Sequence, residues 1–180
     1  MWWTGPGAGT RNGIATAILV KDRCYLVDCG HGVGRQLMVA GISVSSISGI
    51  FLTHLHSDHT IDLGSLAIFG LYDLQPGDRI KLLGPGDRGM LPRPTGRAAA
   101  PPAPVFPDRP TPGKVALFDA ILGGYAADLN DRIFDTLRPS PYEFFDVEDI
   151  AVPEGIGYHP NDDPTPDAEP FESFADDLVT

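Results

Sequence analysis

A cluster of histidine and aspartate side chains at residues 54–59 (HLHSDH) most constrains how this chain can fold. Three of the chain's five histidines and one aspartate fall within these six residues. The preceding residues 49–53 are nearly all apolar, the pattern of a strand covered on both faces, and Ser57 or Asp58 can cap a following helix. The sequence therefore predicts a strand, a loop with the cluster, and a helix. Sites in α/β sheets are usually built at such strand ends.

The spacing within the cluster fits metal binding. His54 and His56 are two residues apart in an extended segment, so their imidazoles point the same way and can bind one metal ion. Asp58 and His59 lie on the next turn and can face a second ion. Imidazole and carboxylate are ligands that Zn²⁺ favours. Two such ions roughly 3.5–4 Å apart can stabilise an oxyanion and lower the pKa of bound water to about 7, so we predict a zinc site with two ions.

Strand and helix patterns alternate through residues 1–83, which predicts an α/β layered core with a mixed sheet. The expected strands are residues 13–21, 24–28, 49–53 and 80–83. The first two are expected to be joined by a hairpin turn. The expected helices are residues 33–38 and a segment that runs from Ser57 or Asp58 to Tyr72.

The rest of the chain divides into three segments of different composition. Residues 84–113 are rich in proline and carry several arginines, which predicts an extended arm or loop. Residues 114–138 have apolar side chains at helical spacing, which predicts one helix, or two helices separated at Gly123-Gly124. Residues 139–180 hold 12 of the 24 acidic residues and no Lys or Arg, so the formal net charge of -11 originates there. An acidic surface repels phosphate backbones, which argues against nucleic-acid binding by this segment.

The cluster and the segments around it resemble the metallo-β-lactamase superfamily. Residues 51–59 (FLTHLHSDH) are similar to its HxHxDH signature, and in particular to its ribonuclease Z and arylsulfatase-like branch. Residues 25–30 (YLVDCG) resemble the second strand of that superfamily, which ends in an Asp and a Gly. The resemblance implies an αββα sandwich, of which this chain would be the N-terminal half with a Pro-rich inserted arm.

The resemblance also implies roles for individual side chains. His54 and His56 would bind the first zinc ion, and Asp58 and His59 the second. Asp58 would in addition be the catalytic residue that orients or deprotonates the attacking water. Asp28 would lie behind the ligands and hold a ligand histidine in one tautomer. The alternative for Asp28 is a strand-end aspartate that caps a glycine turn.

The ligand set that the resemblance implies is split along the chain. In the superfamily two further histidines and a bridging aspartate come from the second half, and only His159 follows His59 here. We interpret His159 as a loop residue because of its context, Tyr158-His159-Pro160-Asn161. The expectation is an N-terminal half, trimmed slightly at its start and cut near the opening of a further strand, with an incomplete set of zinc ligands.

Two hypotheses about function follow. The first is a zinc-dependent hydrolase in which activated water attacks a phosphodiester, a sulfate ester or a similar ester. Its expected substrate is a small-molecule ester or phosphodiester, and a nucleic acid is less favoured because proline dominates the arm. The second is a catalytically incomplete fragment that retains metal binding only, or that needs a partner chain, such as a second copy in a homodimer, to complete the sheet.

The sequence shows no targeting or membrane signal. Met1-Trp2-Trp3 leads into a glycine-rich stretch with neither the basic nor the apolar region of a signal peptide. The apolar residues 14–20 fall far short of the ~20 residues that a transmembrane helix needs. Cys24 and Cys29 are predicted to be small buried residues with free thiols. We therefore expect a cytoplasmic protein without a membrane partner.

Overall fold

The computed structural model describes residues 12–89, 91 and 102–150, which form one five-stranded sheet in the order β1-β2-β3-β4-β5. The strands are β1 (Thr16–Val20), β2 (Arg23–Val27), β3 (Ile47–Phe51), β4 (Ile80–Pro85) and β5 (Phe145–Ile150). β1 and β2 are antiparallel, whereas β2 to β5 are parallel. The predicted α/β architecture with a mixed sheet is confirmed. The second sheet of the predicted sandwich is not among the described residues.

Helices connect the parallel strands and cover one face of the sheet. They are α1 (Val33–Val39), α2 (Ser57–Thr60), α3 (Leu63–Phe69), α4 (Lys114–Gly124), α5 (Ala126–Thr136) and α6 (Pro141–Phe144). Crossover helices of this kind are what parallel strands require. Within the described ranges, no helix is both long enough and apolar enough to cross a membrane.

The core lies between the sheet and α1, α3 and α4. Side chains alternate along the strands, so Cys24 and Leu26 of β2 are buried while Tyr25 between them is partly exposed. The helices contribute buried apolar side chains to the same cluster, among them Leu37, Leu66 and Phe118. Both cysteines are free thiols within this core, as predicted.

The opposite face of the sheet is open and largely apolar in its centre. Tyr25 of β2 and Phe51 of β3 lie there side by side, with ring centroids 6.5 Å apart. Ile18 on β1 is 47% exposed and Phe51 is 37% exposed. Large apolar side chains rarely form a contiguous exposed patch on a monomer unless something binds there.

Two predicted helices are divided in the structure. The segment after the cluster forms α2 and α3, which are separated at Ile61-Asp62. The segment predicted at 114–137 forms α4 and α5, and Tyr125 between them departs from helical geometry with φ −106° and ψ 16°. The sequence suggested a separation at Gly123-Gly124, whereas both glycines remain in the last turn of α4 and the helices separate at Tyr125.

Strand β5 was not predicted, because it falls in a stretch of acidic composition. Its sequence is FDVEDI, and Asp146, Glu148 and Asp149 are exposed while Phe145 is buried and Val147 is partly buried. This is the alternation of an edge strand with one face against the core. The acidic side chains dominate the local composition and mask the period-2 pattern.

A buried lysine connects the end of the Pro-rich arm to the sheet. Lys114 opens α4 and is fully buried, and its Nζ donates a hydrogen bond to the Leu82 carbonyl at 3.0 Å. The same Nζ lies 3.6 Å from Asp149 Oδ1 on β5. Burial lowers the pKa of Lys114, and the nearby Asp149 carboxylate offsets only part of this desolvation. We infer that its aliphatic stem stabilises the fold more than its charge does.

Two substitutions separate these contributions. We expect Lys114→Ala to lower the free energy of unfolding by about 2–4 kcal/mol, because it removes a buried four-carbon stem. Lys114→Met keeps most of that volume and is expected to cost less than about 1.5 kcal/mol. Urea unfolding of both variants measures the difference. Equal losses would mean that the hydrogen bond to Leu82, rather than the packing, carries the stabilisation.

Candidate metal centre

The cluster lies at the carboxyl edge of the parallel strands. β2 and β3 are paired in register at Val27 and Phe51, so the residues that follow both strands emerge at one edge. The ladder continues one step further, since the Asp28 amide donates to the Phe51 carbonyl at 2.9 Å. Asp28 and the loop that begins at residue 52 are therefore held next to each other by backbone pairing.

Three side chains of the cluster form a compact set of donors. The ligand atoms of His54, His56 and Asp58 all lie within 4.8 Å of one another. The rings of His54 and His56 are 4.6 Å apart between centroids and meet edge to face. His54 and Asp58 are partly buried, whereas His56 is exposed. Two imidazole nitrogens and a carboxylate oxygen are a donor set that suits Zn²⁺.

His59 lies beside this set and is held by a hydrogen bond to Asp28. Its ring centroid is 4.0 Å from that of His54, and its Nε2 is 3.8 Å from Asp58 Oδ2. Its Nδ1 lies 2.8 Å from Asp28 Oδ2. An ionised carboxylate can only accept, so Nδ1 carries a proton, and in the neutral imidazole Nε2 then keeps its lone pair. Asp58 thus lies next to both the first two histidines and His59.

Asp28 is the buried centre of this arrangement, and only 4% of its surface is exposed. Its Oδ1 accepts a hydrogen bond from the Thr53 amide at 2.8 Å, and its Oδ2 accepts one from the Thr53 hydroxyl at 2.9 Å. Burial raises the pKa of Asp28, but the hydrogen bonds from Thr53 and His59 outweigh it and hold the pKa below 3.8. These partners lie 25 and 31 residues along the chain, so the contacts are tertiary.

The surroundings of His54 favour its neutral form. Its pKa is lowered by burial first, and then by the neighbouring His59 and His56. Its Nδ1 lies 3.0 Å from the Thr53 hydroxyl. A neutral imidazole is the form that can bind a metal ion.

Sequence reasoning missed two residues that shape the centre. Thr53 holds Asp28 through its amide and its hydroxyl. Asp62, at the start of α3, accepts a hydrogen bond from the Gly32 amide at 2.6 Å. Thr53 directly precedes the cluster and could have been noticed there, whereas no local pattern marks Asp62. His159, which the sequence suggested to be a loop residue, lies outside the described residues.

Comparisons with known proteins find a matching protein family and several similar curated proteins. A protein family described as "Anti-Pycsar protein Apyc1" matches residues 4–87. A ribonuclease Z of Mycobacterium marinum is 30% identical over 145 residues, which are 79% of this chain and 43% of that protein. A ribonuclease Z of Mycobacterium sp. (strain KMS) is 47% identical over 58 residues, 32% of this chain and 20% of that protein.

A solved structure is similar to less than half of the chain. The human tRNase Z, short form (ELAC1), shares 36% identity with a TM-score of 0.39, over 43% of this chain and 29% of that one. The present chain spans less than half the length of the curated relatives described above.

Proposed function

We propose, on the premise that this chain is related to the ribonuclease Z proteins of the metallo-β-lactamase superfamily, that it carries the metal-binding part of a zinc-dependent hydrolase. The observation that carries the proposal is the set of His54, His56 and Asp58 donors within 4.8 Å of one another. The set lies at the carboxyl edge of the parallel strands, which is where open α/β sheets bind their ligands.

The donor set fits zinc, and each side chain has a proposed task. His54 and His56 would hold one ion, and Asp58 and His59 a second. When bound, zinc supplies a Lewis acid that makes water a nucleophile near neutral pH. Asp58 is 38% exposed, so its carboxylate can reach a solvent molecule at the mouth of the centre. There it would orient the attacking water and accept its proton.

Two of the histidines are oriented by hydrogen-bonding residues behind them. Asp28 fixes the proton of His59 on Nδ1 and so directs Nε2 towards the centre. Thr53 holds Asp28 in turn and lies 3.0 Å from the Nδ1 of His54. This carboxylate–histidine arrangement is typical of zinc sites, and it fixes the ring orientation before an ion binds.

The proposed substrate is a phosphodiester. The relatives are named ribonuclease Z, which favours an RNA phosphodiester over the small-molecule ester that the sequence suggested. Residues 1–138 have a formal net charge of +1, so they present no strong repulsion to a phosphate group. A sulfate ester is the alternative within the same chemistry, because an oxyanion develops at the reacting centre in both reactions.

A second candidate is metal binding without turnover. Only one histidine, His159, follows His59 in the sequence, so this chain offers few further imidazoles to complete two zinc sites. Such a chain would bind one ion through His54, His56 and Asp58 and would leave a phosphodiester intact.

One experiment separates the two candidates. Zinc content per chain and hydrolysis of bis-p-nitrophenyl phosphate are measured on the same preparation. Two tightly bound ions with turnover, lost in His56→Ala and retained in His31→Ala, would support the hydrolase. One ion without turnover would support the second candidate. Failure to bind zinc would overturn both.

A further inference from the structure

Backbone and side-chain hydrogen bonds join the loop after β2 to the start of α3. The Cys29 amide donates to the His59 carbonyl at 2.6 Å, and the Asp62 amide donates to the Cys29 carbonyl at 3.0 Å. The Asp62 carboxylate completes the connection by accepting from the Gly32 amide at 2.6 Å. Two segments about 30 residues apart in sequence are thereby held in one relative position.

Each of these two segments carries one partner of the hydrogen bond between Asp28 and His59. Asp28 lies on the first segment and His59 on the second, and their side chains are 2.8 Å apart. The backbones also approach closely, since a Cβ at Gly30 would lie 2.5 Å from the Asp58 carbonyl oxygen. A relative shift of the segments by even 1 Å would break the hydrogen bond between Asp28 and His59.

We infer that Asp62 is a positioning residue for this centre: its carboxylate fixes the loop after β2 against α2 and α3, and so keeps Asp28 on His59. The inference rests on the proposed metal-binding function and concerns a residue outside the ligand cluster. Asp62 acts through Asp28 and His59 and does not itself touch the ion.

The orientation of the Asp62 side chain indicates that it joins two segments of the fold and does not cap its own helix. Asp62 occupies the N-cap position of α3, where an aspartate ordinarily accepts from an amide of its own helix. Here it makes no such cap bond, and its carboxylate turns to Gly32 of the neighbouring loop instead. Gly32, whose amide donates this bond, has φ +85°, a conformation that glycine adopts readily.

The nearby imidazole of His31 contributes little to this connection. Its Nδ1 lies 3.7 Å from Asp62 Oδ1, which is beyond hydrogen-bond distance, and its side chain is 81% exposed. A contact of this length from an exposed side chain is worth little in water. His31→Ala therefore serves as the matched control, because it removes the neighbouring imidazole and leaves the bond from Gly32 in place.

The test compares Asp62→Ala, Asp62→Asn and His31→Ala in the full chain. The first readout is the imidazole Nδ1–H resonance of His59 in the metal-free protein, by NMR. The second is the zinc dissociation constant, from competition with a chromophoric chelator. Thermal unfolding of each variant shows that it is folded at the temperature used.

We expect Asp62→Ala to lose the His59 resonance and to bind zinc about 10-fold more weakly or worse, the usual effect of removing support behind a metal ligand. Asp62→Asn keeps an oxygen that can accept from Gly32, so it should restore both readouts, and His31→Ala should leave both unchanged. If Asp62→Ala does not fold, a reduced His59 resonance in Asp62→Ser, beside a restored one in Asp62→Asn, carries the same test.

Retention of the His59 resonance and of wild-type zinc affinity in Asp62→Ala would overturn the inference. The two readouts also test the positioning role of Asp62 separately from the proposed metal-binding function. A resonance that depends on Asp62 in a chain that binds no zinc would support the positioning of His59 and overturn the metal site.

Discussion

Zinc at 100 times its dissociation constant is expected to raise the free energy of unfolding by about 2.7 kcal/mol, and at 1,000 times by about 4.1 kcal/mol. The reason is that the folded chain holds His54, His56 and Asp58 within 4.8 Å of one another. An ion that binds the folded state alone stabilises it by mass action. Urea unfolding at pH 7, with and without zinc, measures the gain.

The same gain should depend on the ligands and on pH. A His54→Ala, His56→Ala double variant is expected to show no stabilisation by zinc, whereas His31→Ala, which alters an exposed histidine outside the cluster, should respond as the wild type does. The gain should shrink between pH 7 and pH 5, because zinc must then displace protons from imidazoles whose ordinary pKa is about 6.5. Equal stabilisation of the double variant would place the zinc elsewhere.

Asp28→Ala is expected to lower the free energy of unfolding by about 3 kcal/mol and zinc affinity by about 10- to 100-fold. The carboxylate accepts hydrogen bonds from the Thr53 amide, the Thr53 hydroxyl and His59 Nδ1, and each such bond is worth about 1 kcal/mol. Asp28→Asn should fold better than Asp28→Ala, because asparagine tolerates the positive φ of 65° found at this position. Urea unfolding measures the loss of stability, and competition with a chromophoric chelator measures the loss of zinc affinity.

The contribution of Asp28 to the free energy of unfolding should also depend on pH. Its folded-state pKa is held below 3.8, so the folded chain binds fewer protons there than the unfolded chain near that pH. Its stabilisation is therefore fully present above pH 3.8 and is lost as the pH falls through the folded-state value. The stability difference between wild type and Asp28→Asn should narrow below about pH 4. Asp22→Asn, in the exposed turn after β1, is the matched control and should show no such narrowing. If the stability difference between wild type and Asp28→Asn stays constant below pH 4, the lowered pKa of Asp28 in the folded chain is wrong.

The elements near the cluster were predictable because their signals are local. An apolar run followed by alternating ligand residues predicts β3 and the loop after it, and the structure has β3 at Ile47–Phe51. The hairpin of β1 and β2 and strand β4 follow from equally short patterns. The boundary between α2 and α3 was not predicted. The helices are separate because Asp62 hydrogen-bonds to the carbonyl of Cys29 and to the amide of Gly32. Local sequence patterns do not show such contacts.

Strand β5 and the role of Lys114 could not be predicted in the same way. The outward acidic residues of β5 gave its segment the composition of a solvated stretch, although Phe145 and Val147 face the core. Lys114 is read as a surface residue from its type, because lysine is almost never fully buried. Its burial depends on β4 and β5, which lie about 30 residues before and after it in the chain.

The sequence by itself determined which chemical groups stand at the end of β3, because spacing in an extended segment sets the side to which His54 and His56 point. It also indicated Asp28 as a partner, but only through a resemblance. The tertiary structure alone decided that Asp28 contacts His59 and Thr53, that Asp58 lies beside all three histidines, and that Asp62 accepts a hydrogen bond from Gly32. The physical reason is that distances between segments about 30 residues apart are set by strand pairing and backbone hydrogen bonds, which local sequence patterns do not encode.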